Sequence, residues 1–166
     1  MRNAFFALAC IAAVVNARST VAQESTIVDK VEIVQRGEYQ GEDRQKIDDS
    51  GANITPRRRV YGVRLIEDTD HIVAKKTKLF GVRFRIKGQP SGAPVSLVLV
   101  TTFPDNDRVK ENRRDAEEYT IGDEHFRGYR LEQDWELLPG TWKFEFYYLD
   151  RKIGEQHFQL TLPASP

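Results

Sequence analysis

Phe80, Val82, Phe84 and Ile86 take every second position of one short segment, and Arg83, Arg85 and Lys87 take positions between them. Only a strand puts residues i, i+2 and i+4 on one face. The segment therefore predicts a half-buried strand over Leu79–Lys87 with one wet face. The same period returns at Trp142, Phe144, Phe146 and Tyr148, which alternate with Lys143, Glu145 and Tyr147. Helical periodicity is nearly absent, and Gly and Pro punctuate the chain at short intervals.

The remaining segments extend this reading. Gly88–Pro94 reads as a turn, followed by Val95–Phe103 with apolar residues on both faces, the pattern of a central strand stopped by Pro104. Pro139-Gly140 turns the chain into the Trp142 segment, Asp150–Gly154 reverses it, and Phe158, Leu160 and Leu162 alternate up to Pro163. Weaker strands fit Val31–Tyr39 (near 29–39) and Tyr61–Leu65 (near 59–67). Others fit around Tyr119 and Ile121, and around Tyr129 and Leu131. Two polar stretches, Gly41–Asn53 and Asp105–Glu118, read as surface excursions, the second as a mobile hairpin loop. About seven antiparallel strands at this spacing predict an all-β sandwich, with a barrel as the competing architecture.

The first 22 residues differ in kind. Arg2 precedes an apolar run from Phe5 to Val15, and small residues follow at Val15-Asn16-Ala17 and Thr20-Val21-Ala22. This is the pattern of a secretory signal cleaved after Ala17 or Ala22, and the run is too short to span a bilayer. Cys10, the sole cysteine, lies inside it. The mature domain, residues 23–166, is then expected to act in the periplasm or outside the cell, with no disulfide and no further transmembrane span. Arg2 and Arg18 leave with the signal and no acid does, which takes the balance of 25 basic and 25 acidic residues to −2. Such a charge carries no footprint for nucleic acid.

Phe80, Gly81 and Phe84 in one strand, Gly88-x-Pro90 after it, and Trp-Glu-Leu-x-Pro-Gly-x-Trp from Trp135 to Trp142 before a hairpin ending in Phe158 form a familiar combination. Over most of residues 28–162 it resembles a bacterial family of short exported proteins known only as a domain of unknown function. The resemblance implies an immunoglobulin-like fold and a place in the cell envelope, and it carries over no catalytic residue. The Cys…Trp…Cys signature of true immunoglobulin domains is missing.

Chemistry-bearing residues are sparse. His71 follows Asp68 and Asp70, and His125 follows Asp123 and Glu124, so His71, His125 and Asp123 are the candidate metal ligands. Neither cluster has the spacing of a known zinc motif. No Gly-x-Ser-x-Gly elbow and no phosphate loop occurs, and no cofactor is implied. Arg83, Arg85 and Lys87 form a basic stripe that would either meet a polyanion such as an acidic glycan or pair with cross-strand acids such as Glu145. Trp142 falls in phase with the core, Trp135 lies in a connection where it would plug the sandwich end, and Tyr147 falls on the polar face as a candidate contact residue. Asn53-Ile54-Thr55 matches a glycosylation sequon, with Pro56 directly after it. The leading expectation is a non-enzymatic envelope module binding a protein or a cell-wall glycan, with contacts at Tyr147, Arg83, Arg85, Lys87 and Trp135. The alternative is a metal-assisted hydrolase using His71 or His125 with nearby acids. Pairing of copies through a free sheet edge is a third possibility.

Overall fold

The computed structural model describes residues 25–47, 57–104 and 112–164. The signal segment and the sequon lie outside them. Nine strands follow in chain order: β1 (Ile27–Ile47), β2 (Arg57–Glu67), β3 (His71–Val73), β4 (Leu79–Gln89), β5 (Pro94–Thr102), β6 (Arg113–Thr120), β7 (Glu124–Arg130), β8 (Gly140–Tyr148) and β9 (Arg151–Thr161). One sheet has the order β2-β1-β4-β7 and the other β3-β9-β8-β5-β6. The expected all-β sandwich is present. Among the described residues the only helical turn is a 3-10 turn at Asp134–Glu136, and no helix is long and apolar enough to cross a membrane.

The alternating faces meet where the period places them. Phe80, Val82, Phe84 and Ile86 from β4 are fully buried, as are Trp142 and Phe146 from β8 and Phe158 and Leu160 from β9. Phe80 sits at the centre, stacked on Phe144 at 5.6 Å and edge-on to Trp142 and Phe158 at 5.6 and 5.1 Å. Burying each such ring contributes about 1.5–3 kcal/mol, with a further ~0.5–1.5 kcal/mol for a well-oriented aromatic pair.

Three expectations need correction. The described residues form nine strands, not about seven, and they are not all antiparallel, because β3 runs parallel to β9 with Ile72 opposite Leu160. A strand of three residues is too short to show a period, so nothing in its sequence announces it. Next, the polar stretch after Tyr39 is not all excursion: β1 continues to Ile47, paired to β2 from Glu38↔Glu67 to Ile47↔Arg57. Its backbone pairing to β2 makes this part a strand. Finally, Arg113–Glu118 are not loop but most of β6, paired to β5.

Two close approaches set the shape of the first sheet. Gly37, Gly81 and Gly128 stand opposite one another across β1, β4 and β7. A Cβ on Gly81 would lie 2.2 Å from the Arg127 carbonyl oxygen, and one on Gly37 (φ +145°) would lie 1.9 Å from that of Glu67. Neither position admits a side chain without moving backbone.

Candidate functional site

The basic stripe lies on the outer face of the first sheet, and its charges are already engaged. Arg85 stands directly opposite Glu124 on β7 and Glu32 on β1. Arg83 donates to Glu124 at 3.0 Å and to the backbone oxygen of Val63 at 2.6 Å. Arg85 lies 3.7 Å from Glu124, and Lys87 lies 2.9 Å from Glu32. The hydrogen bond from Lys87 holds the Glu32 carboxyl below its usual range. The acids that answer the stripe are thus Glu124 and Glu32. Glu145 belongs to the other sheet, where it meets Lys152 at 3.4 Å. Alternation told which face the stripe is on; only strand order tells which acids lie beside it.

Tyr147 is half-buried on the outer face of the second sheet. Its cross-strand neighbours are Val98 and Lys152, not a second ring, and its hydroxyl donates to Glu145 at 3.3 Å. Lys152 also meets Glu155 at 2.7 Å, a contact that raises the ammonium's pKa and lowers the carboxyl's.

Trp135 does close the end of the sandwich. Its ring lies edge-on to Phe103 at 6.2 Å, and Phe103 in turn meets Trp142 at 4.7 Å. The residue beside it is the one the sequence reading passed over. Glu136 is wholly buried, accepting from the Tyr129 hydroxyl at 2.7 Å and from the Gln133 amide at 2.7 Å. A buried carboxylate survives only with such partners. Glu136 therefore pins the 3-10 turn and leads the chain into β8, where the Trp142 indole donates to the Leu138 carbonyl at 3.1 Å.

The candidate metal ligands fall on opposite flanks. His71 is on β3, the last strand at one side of the second sheet, exposed and 2.7 Å from Asp70. His125 is on β7, its Nε2 held by the Thr120 carbonyl at 2.9 Å and its ring packed between Phe84 and Tyr119. Asp123 stands in the exposed turn between β6 and β7. Among the described residues, no three His, Cys, Asp or Glu side chains gather to hold a metal ion. The sequence placed both histidines beside acids in the chain; His71 meets its neighbour Asp70, whereas the Nε2 of His125 turns to the Thr120 backbone.

A second cluster was hidden by its own chemistry. Asp115 of β6, fully buried, accepts from Arg127 of β7 at 2.7 Å and from Arg113 at 3.0 Å. Arg127 also reaches Glu117 at 3.3 Å, and Glu117 accepts from the Tyr119 hydroxyl at 2.7 Å. Burial raises the Tyr119 phenol, and Glu117 adds to the effect. The alternation along β6 is present, but its inward positions are Asp115, Glu117 and Tyr119, so a search for apolar residues reads it as loop.

One structural feature is left without an internal role. Beyond Tyr39, β1 pairs only with β2, and β2 pairs only with β1, among the described residues. The pair forms a two-stranded ribbon that outruns its sheet. Its base is clamped by Arg83 on the Val63 carbonyl and by Arg130 on the Gly41 carbonyl at 3.0 Å. Tyr39 packs edge-on against Phe126 beneath it at 4.8 Å. The far side of β2 carries the exposed Ile66 and no described strand.

No curated protein matches the chain. A solved structure of an immunoglobulin-like protein from Pseudomonas aeruginosa is similar, at 19% identity and a TM-score of 0.48, covering 84% of this chain and 99% of that one. The family model for a domain of unknown function, DUF3859, matches residues 28–160. That span holds both sheets from Val28 of β1 to Leu160 of β9, including the Trp135–Trp142 segment and the β6–β7 contacts. The chain belongs to the DUF3859 family of domains of unknown function.

Proposed function

We propose that the chain works outside the cytoplasm as a non-enzymatic β-sandwich module, of the immunoglobulin-like kind, that binds an envelope protein through the free edge of β2. The observation that carries the reading is the ribbon of β1 and β2. An unpaired strand edge offers a row of N–H and C=O groups, a ready template for another chain's backbone. Charges and short strands often protect such edges; β2 carries charges at Arg57, Arg58, Arg59, Arg64 and Glu67, but it runs 11 residues and exposes Ile66 at 52%. A protein partner is favoured over a glycan because the side chains suited to sugars are occupied: the basic stripe is paired with acids, Trp135 is packed, and Tyr147 stands without a second ring. Export rests on the N-terminal pattern of Arg2, the apolar run and the small residues before Ala17 and Ala22.

Site-specific photo-crosslinking in cells expressing the full chain tests the reading. A crosslinker at Ile66 on β2 is expected to trap a discrete partner, and one at Lys143 on the outer face of the other sheet is not. Equal trapping at both positions, or none at Ile66, overturns it. The mass of the purified protein checks location separately: a start after residue 17 or 22 is expected, and a start at Met1 or a lipid on Cys10 refutes cleavage.

A further inference from the structure

The two flanks of the sandwich are closed by different means. Along one flank close packing is joined by bonds to neutral backbone carbonyls: Val31 of β1 lies so close to β9 that a Cβ on Gly154 would be 2.8 Å from its own, and Arg151 of β9 donates to the Val28 and Asp29 carbonyls. Along the other, the last strands of the two sheets, β6 and β7, meet through charge. Asp115, Glu117 and Tyr119 face inward from β6, and His125 and Arg127 from β7. Among the described residues each strand is paired by its backbone to one neighbour alone, β6 to β5 and β7 to β4.

We propose that the β6–β7 flank is a proton-operated seam, closed at neutral pH by Arg127 with Asp115 and Glu117 and opened locally when those carboxyls are protonated. The charged groups facing one another there are Arg113, Asp115 and Glu117 from β6 and His125 and Arg127 from β7, with the Tyr119 phenol between them. The inward neighbours on the adjoining strands are uncharged: Leu99 and Thr101 of β5 stand opposite Asp115 and Arg113, and Val82 of β4 stands opposite Arg127. With both carboxylates ionised the cluster's two arginines are balanced. In acid the opened flank takes up protons on these carboxylates more readily than the closed one, where the guanidiniums disfavour the neutral acid, and among the described residues no other acid there offsets the two arginines. A buried charge deprived of its partner is strongly destabilising.

Opening at this flank leaves the rest of the fold intact. The aromatic core around Phe80, Trp142, Phe144 and Phe158 lies on β4, β8 and β9, and the ladders that loosen are those of β6 on β5 and of β7 on β4, while the β8–β9 and β1–β4 pairings stay in place. Local openings of this sort are drawn from elements with few apolar contacts holding them. The movement needs no partner, so it stands whether or not β2 is a docking edge.

Amide hydrogen exchange on the full chain tests the seam, at neutral pH and at about pH 3, below the ordinary carboxyl range, corrected for intrinsic rates. Acid is expected to speed exchange in β6 and β7 about tenfold or more relative to β4 and β8. Asp115→Asn should produce the same local rise at neutral pH. A triple variant, Asp115→Leu with Arg113→Met and Arg127→Met, replaces the buried ion cluster by apolar side chains of similar size; it should stay protected at both pH values and lose most of the acid response. This second variant keeps the test open if Asp115→Asn does not fold. Exchange that rises equally in all strands, or does not respond to acid, overturns the proposal, as does an acid response unchanged in the triple variant.

Discussion

Arg127 on β7 donates a 2.7 Å hydrogen bond to Asp115 on β6, joining strands that belong to different sheets. Both side chains are sequestered, so removing either takes the shortest ion pair from the other, with Arg113 left on Asp115 or Glu117 left on Arg127. Asp115→Ala and Arg127→Ala are each expected to lower unfolding free energy by about 3–5 kcal/mol. In the double-mutant cycle the two losses should fall well short of additive. Urea denaturation of the four proteins provides the check.

Tyr39 and Tyr129 should respond oppositely to loss of a hydroxyl. The Tyr39 hydroxyl is buried with no hydrogen-bond partner among the described residues, whereas that of Tyr129 donates to buried Glu136 at 2.7 Å. Tyr39→Phe is expected to be neutral or stabilising by up to about 1 kcal/mol, and Tyr129→Phe to cost about 1–3 kcal/mol, because it leaves a buried acceptor short of a partner. Thermal melts of the two variants separate these outcomes.

Alkali should destabilise the fold in a defined window. Burial pushes the Tyr39 phenol up to about 12 and raises that of Tyr119 as well. A phenol whose pKa is raised by folding binds its proton more tightly in the native state, so its contribution is complete below about pH 10, the unfolded value. It declines as pH climbs from there through the folded value. The urea midpoint is expected to fall over that range, and less steeply in Tyr39→Phe. An equal slope in both proteins would contradict the assignment.

Gly37→Ala should be among the most damaging single-methyl additions. Its backbone is left-handed, and the new Cβ would lie 1.9 Å from the Glu67 carbonyl oxygen, which is backbone and cannot swing aside. The expected loss exceeds about 2 kcal/mol, combining strain with overpacking. Gly92→Ala is the control: it is also left-handed, but its Cβ would meet nothing within 4 Å. Comparing the two melts isolates the contact from the dihedral cost.

Glu136→Ala removes the acceptor that holds Tyr129 and the Gln133 amide. A loss of about 2–4 kcal/mol is expected, from unsatisfied buried donors together with the cavity. Glu136→Gln, which keeps one oxygen, should fall between alanine and the native residue. Trp135 fluorescence should shift to the red in the alanine variant as the 3-10 turn loosens.

Where a strand buries carbon, its alternation is visible in the residues alone. Phe80–Ile86, Val95–Phe103 and Trp142–Tyr148 were legible because the hydrophobic effect leaves period two on them. β6 was not legible as a strand through Arg113–Glu118, because its inward residues are satisfied by Arg127 from another strand 12 residues away from Asp115. Its chemistry is indistinguishable, in sequence, from a solvated charge run. The distal half of β1 was missed for a related reason: it is polar in sequence and is held by its pairing to β2. The candidate contacts show the same division. Trp135 and Trp142 lie where their phase and connection put them, while the partners of Arg83 and Lys87 follow from which strands lie side by side.

The sequence by itself determined that this chain is all-β, which faces of its clearest strands turn inward, and that its described domain holds itself together without a thiol. These are properties of neighbours two residues apart, and local period carries them. The tertiary structure alone decided the strand order, the parallel β3–β9 pair, the Asp115–Arg127 seam and the free edge of β2. Each of these depends on which distant strands become neighbours, and polar side chains declare their role only once the partner that neutralises them is beside them.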